Sequence, residues 1–175
     1  MSYASSVLTM AKDIQGSIYA LSAVENPSSN FGIPEQITES FVFDELVTNP
    51  ALRKKTKKLY DDGHYARAVE EAYKLVDNTV AKLVKDRSKN VSGAKLMREA
   101  FSPGAPLIKL NELVSRSEQD EQQGYMDILA GSMTGIRNPR AHDSDWEDTR
   151  QRATQLIILA DHLLDKILSG SVDNV

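Results

Sequence analysis

The sequence predicts an all-α fold. Apolar residues recur at spacings of three and four along most of the 175 residues, no strand-like alternation outlasts five residues, and Pro, Gly and Asn punctuate the pattern at intervals expected of helix ends. Val7, Ala11, Ile14, Ile18 and Leu21 form one stripe of a first helix, which should stop ahead of Pro27 because proline disfavours helical geometry at the residue before it. The loop "NPSSNFGIP" divides the chain into a helical arm and loop over residues 1–40, a helical bundle over 41–170 and a disordered tail over 171–175. A short amphipathic piece from Pro34 to Leu46 carries Ile37, Phe41 and Leu46.

Asn49 before Pro50 is a helix N-cap with proline at the first helical position; it opens a basic helix that ends before Gly63. From His64 to Lys85, the apolar residues Val69, Ala72, Tyr73, Val76, Val80, Leu83 and Val84 mark the central core helix. "AKLMREAFSPGAP" is a short segment closed by Pro103, Gly104 and Pro106, and "LIKLNELVS" stays open between a short helix and a helical loop. A helix from Glu121 to Ile136 presents Tyr125, Ile128, Leu129, Met133 and Ile136 on one face. Ser144-Asp145-Trp146-Glu147 has the form of a capping box, starting a last helix with Ala153, Leu156, Ile157, Ala160, Leu163, Leu164 and Ile167 on its core face. Ile158 and Leu159 lie off that face and widen the apolar surface, either toward a second copy or toward a second packing side within one subunit.

A formal charge of −4 argues against a generally basic nucleic-acid surface. A local one is available in Arg53, Lys54, Lys55, Lys57 and Lys58, which read as a solvated helix face or, with RNA as ligand, as phosphate contacts. Acidic residues gather in "SEQDEQQ" and "HDSDWED". With no cysteine there is no disulfide or thiolate metal site, and no apolar run reaches the ~18 residues of a membrane span. A cytoplasmic protein with no membrane partner is the expectation.

The chemistry available is narrow. His142, Asp143 and Asp145 share a turn but lack further metal ligands, and no phosphate loop, nucleophile elbow or dinucleotide fingerprint occurs, so neither metal nor cofactor is expected. His64 and His162 read as structural or solvent-facing. Arg137-Asn138-Pro139-Arg140-Ala141-His142 is the exception. Pro139 should break the preceding helix near Asn138, leaving Arg137 and His142 to flank one interhelical corner. Such a corner can cleave RNA without metal, an imidazole moving the proton and a guanidinium stabilising the phosphate charge; it can equally be a structural brace, the simpler reading from spacing alone.

At this corner the sequence resembles the HEPN superfamily, whose hallmark is an arginine and a histidine with four to six residues between them, before the last helix of a bundle. "GHYARAVEEAYKLVDNTV", "GAKLMREAF" and "GYMDILAGSMTGIRNPRAH" together look like the Ymh-like family of phage and bacterial proteins within that group, over about residues 44 to 168. The resemblance implies a HEPN-like helical bundle with an additional N-terminal arm. It implies a metal-independent endoribonuclease, a toxin or antiviral abortive-infection effector, acting as a homodimer on single-stranded RNA, with an antitoxin or operon protein as further partner. Arg137 would stabilise the phosphate, His142 would act as general acid or base, Asn138 would position one of them, and Arg140 would add a phosphate contact. Some HEPN domains are inactive, which keeps a non-catalytic module binding a protein partner or nucleotide as the alternative. Tyr125 and Trp146 read as packing residues first and as base-stacking platforms second.

Overall fold

A computed structural model describes residues 43–84 and 91–172. The expected first helix and the apolar residues Ile37 and Phe41 lie outside them. Within them the fold is all-α apart from one two-residue ladder. Helix α1 spans Pro50–Asp61 and opens as expected: the Asn49 side-chain oxygen accepts the N–H groups of Ala51 (3.0 Å) and Leu52 (3.1 Å), two of the four donors a helix start leaves over. Just before it, Phe43 and Val47 enter the core while Leu46 is 47% exposed, so the inward residues are neighbours of the one expected.

At its other end, the His64 N–H reaches the Leu59 carbonyl (2.8 Å) and the Gly63 N–H reaches that of Tyr60 (3.1 Å), with Gly63 at φ +83°. This double bond around a left-handed residue stops α1 and restarts the chain as α2, Tyr65–Leu83. A side chain at position 63 meets no neighbour but must adopt the left-handed conformation. Gly63→Ala is therefore expected to cost about 1 kcal/mol, read as a lower urea midpoint at unchanged slope.

Helix α2 is the central element. Its Val69, Ala72, Tyr73, Val76 and Val80 are fully buried, each valine worth about 1.5–3 kcal/mol, and α1, α3 and α6 pack around it. The Tyr73 hydroxyl donates to the Leu156 carbonyl of α6 (3.1 Å), and burial pushes its pKa far above the usual phenol value. Helix α3, Gly93–Phe101, buries Leu96, Met97, Ala100 and Phe101. The open segment after it resolves into turns and a strand β1, Ile108–Lys109, organised by a polar residue in the core: the Gln122 amide donates to the carbonyls of Phe101 (2.9 Å) and Ile108 (3.0 Å) and its oxygen accepts the Leu110 N–H (2.9 Å).

Helix α4, Arg116–Ser132, starts five residues ahead of the expected Glu121, because a capping box lies at Ser115 and Glu118. Glu118 accepts the Ser115 N–H (2.7 Å) and hydroxyl (2.9 Å), and these bonds, the backbone one first, hold its carboxyl below the ordinary 4.5. A depressed folded-state pKa adds stability above the unfolded value and loses it as pH falls through the folded one. Wild type should thus exceed Glu118→Gln in thermal midpoint at pH 7, with the gap closing as the pH is taken down through the acid range.

The last helix, α6 (Arg150–Ser169), buries Ala153, Ile157, Ala160, Leu163, Leu164 and Ile167 as the pattern requires; Leu156, Ile158 and Leu159 are half-buried. Its buried Asp161 accepts the Thr48 hydroxyl (2.8 Å) and the Asn49 N–H (2.8 Å), tying it to the start of α1. Ser171 and Val172, expected in the tail, instead form β2, pairing antiparallel with Lys109 and Ile108. Gly170 permits this approach: a Cβ there would lie 3.0 Å from the Lys109 carbonyl oxygen.

Candidate functional site

Pro139 does not end the helix that carries Arg137. After α4, residues Met133–Arg137 form a π turn and Asn138–His142 continue as a short helix α5. In a regular α-helix the proline ring would collide with the carbonyl four residues back. Here the Asn138 N–H reaches past that register to the Met133 carbonyl, and the widened turn accommodates the ring. Single π turns of this kind recur at functional sites.

The consequence for the motif is a correction. Arg137 and His142 do not flank a corner between two helices; they lie on one continuous helical segment, and five residues at 3.6 per turn direct them roughly 140° apart around its axis. Arg137 is half-buried, donates weakly to the Asn138 side-chain oxygen (3.4 Å), and keeps a buried Nε–H with no hydrogen-bond partner among the described residues. His142 is exposed at the end of α5. Asn138 thus touches Arg137 and, four residues ahead of His142 on α5, lies one helical turn from it.

The last helix also starts later than expected. Ser144 caps nothing; its hydroxyl points at the Asp145 carboxylate (3.4 Å), residues 143–149 run without helix, and Thr149 caps α6 by accepting the Arg152 N–H (3.2 Å). The intervening segment is held by Arg140. Its Nε and Nη2 donate to the two oxygens of Asp148 (2.6 and 2.7 Å) and its Nη1 to the Ile136 carbonyl (2.6 Å), with side-chain exposures of 4% for Arg140 and 0% for Asp148. The guanidinium also lies 5.5 Å from the centre of the Trp146 ring. Arg140 was expected as a phosphate contact; buried, with each of its three nitrogens donating to a protein oxygen, it is a clamp. For the same reason Asp148 is not part of the free acidic flank.

The basic run is also divided. Lys54 and Lys55 are exposed, Lys57 pairs with Asp61 and Asp44, Lys58 with Asp62, and Arg53 donates to the carbonyls of Asp44 and Val47. Tyr125 shares a hydrogen bond with His162 (2.7 Å) and has Lys166 over its ring, so these side chains brace α4 against α6.

A family model described as a protein of unknown function, Hypoth_Ymh, matches residues 47–167, from the approach to α1 through the last core residue of α6. The chain belongs to the Hypoth_Ymh family. The Hypoth_Ymh match takes in the π turn, the Arg140–Asp148 clamp and the whole of α2. No curated protein and no solved structure matches the chain.

Beside the clamp, this Hypoth_Ymh chain has a cleft of about 530 Å³ between the first turn of α2 and residues 143–148. Arg140, Trp146 and Asp148 lie on one side and His64 and Arg67 on the other. Sequence reasoning missed His64, Arg67 and Glu147 as site residues. Nothing local joins positions near 64 to positions near 145, and only the restart at Gly63 hinted that His64 begins a helix at the surface.

Proposed function

We propose that this protein is a metal-independent endoribonuclease of the HEPN type, a toxin or antiviral effector that cleaves single-stranded RNA. The observation that carries the reading is the state of Arg137: a guanidinium beside a π turn with a buried N–H that no group among the described residues accepts, five residues from an exposed histidine. Buried donors are almost always satisfied, and a phosphate oxygen would satisfy this one with a charge-assisted bond. In the reaction the 2′-oxygen attacks phosphorus, the P–O5′ bond breaks, and a 2′,3′-cyclic phosphate and a 5′-hydroxyl result. One imidazole takes the 2′-proton or delivers a proton to the leaving 5′-oxygen, and Arg137 offsets the charge on the phosphate. The angular separation of Arg137 and His142 fits a homodimer, in which one chain's arginine meets its partner's histidine. Exposed Ile128 and half-buried Ile158 and Leu159 supply apolar surface for it. The test is incubation of the purified protein with single-stranded RNA in excess EDTA, scoring cyclic-phosphate ends.

A second reading, a non-catalytic helical module, is favoured by the pairing of Arg140, Lys57 and Lys58 with carboxylates, which leaves little cationic surface for RNA. It predicts no RNA turnover and a loss of stability or association on Arg137→Ala.

A further inference from the structure

The cleft beside the Arg140–Asp148 clamp is polar but not uniformly charged. Where it lines the cleft, α2 begins without a side-chain cap and without an acidic residue in its first turn, so the backbone N–H groups ahead of its first helical bond meet the cleft together with Arg67, whose guanidinium is shared with Glu71 and with Glu70, itself a lining residue. Along the side lies Trp146, 37% exposed, backed by the Arg140 guanidinium. Glu147, next to Trp146 in the chain, also lines the cleft, and its carboxylate makes no hydrogen bond or ion pair among the described residues.

An anion-accepting end, an aromatic platform and a free carboxylate are the three complements of a nucleotide: phosphate, base face and base edge. A volume of about 530 Å³ lies within the range of small-ligand pockets. The carboxylate selects among bases. Guanine presents two adjacent N–H donors, N1–H and the N2 amino group, to a single carboxylate; adenine and cytosine present one amino N–H beside a ring acceptor, and uracil one N–H between two carbonyls. An acidic rim that repels phosphate is compatible with RNA if it faces a base edge instead.

We propose that this cleft binds a guanine nucleotide, the base on Trp146 with its edge toward Glu147 and its phosphate toward the start of α2. In an RNA chain the site would choose guanine close to the phosphate held at His142, a role that rests on the ribonuclease reading, although the binding itself does not. Trp146 is the single tryptophan, so its fluorescence reports the site directly. Titration with GMP is expected to give saturable quenching, roughly tenfold tighter than with UMP, and Glu147→Gln should erase that preference without moving the thermal midpoint. Quenching by no nucleotide, or by all four equally with Glu147→Gln unchanged, overturns the proposal.

A parallel titration with a guanine-containing oligonucleotide and one lacking guanine separates the sources: a response to the first alone supports the RNA role, and a response to GMP alone overturns that role and assigns the site to the free nucleotide. Guanine binding without RNA cleavage would sink the ribonuclease reading and leave this site standing. Cleavage whose base preference is unchanged in Trp146→Ala would do the reverse.

Discussion

Replacing His142 with alanine is expected to lower RNA cleavage by roughly 10²- to 10⁴-fold, the range that a positioned general acid or base contributes. The same substitution should leave the urea midpoint within about 0.5 kcal/mol of wild type, because His142 is exposed at the end of a five-residue helix. The pairing of a large kinetic loss with an unchanged fold distinguishes chemistry from bracing. Arg137→Lys is the companion variant: it keeps the charge but removes the planar fork, so the Nε–H that has no partner among the described residues disappears. Cleavage in EDTA by His142→Ala at the wild-type rate would end the catalytic reading, and growth arrest that persists in that variant would point the same way.

The second large effect concerns folding. Arg140→Ala is expected to destabilise the protein by about 3–5 kcal/mol, since it leaves the fully buried Asp148 carboxylate without its two-bond partner and, among the described residues, with Arg152 at 3.9 Å as its remaining ion pair. That is a large share of the roughly 5–15 kcal/mol that holds an ordinary domain. Arg140→Ala with Asp148→Ala should cost clearly less than the sum of the two single changes, because the double variant buries no lone charge. Were Arg140 instead a phosphate contact, its removal would weaken RNA binding and lower its salt dependence with little change in the unfolding midpoint. Equilibrium urea unfolding of the three variants decides between these outcomes.

Arg137 and Arg140 sit three positions apart in opposite circumstances, and the sequence does not separate them. Arg137 and Arg140 are both arginines near a proline on an apolar helix face. Arg140 is claimed by an aspartate eight residues later, across a segment without helical periodicity, and no local pattern announces that pairing. The position of the last helix start was misjudged for a related reason: Ser144 and Thr149 both have capping chemistry, and the clamp at Asp148 decides which of them meets a helix. The π turn was illegible too, because proline in a helical pattern reads as a break unless the preceding turn widens, and whether it widens depends on how Met133 and Ile136 pack.

What the sequence determined by itself are the features set by short-range physics. Asn49 and Pro50 start a helix through bonds within three residues, and Gly63 ends it through a left-handed backbone that few other residues accept. The spacing of Val69, Ala72, Tyr73, Val76 and Val80 places one core face, because helical periodicity repeats whatever surrounds it. The tertiary structure alone decided which polar groups are consumed and which are left. Gln122, Asp161 and Arg140 are spent on backbone or carboxylate partners from other segments, whereas among the described residues the buried Nε–H of Arg137 has no acceptor and the Glu147 carboxylate and the Trp146 face line the cleft. A buried polar group must find a partner, and that partner is chosen by the packing of helices far apart in the chain.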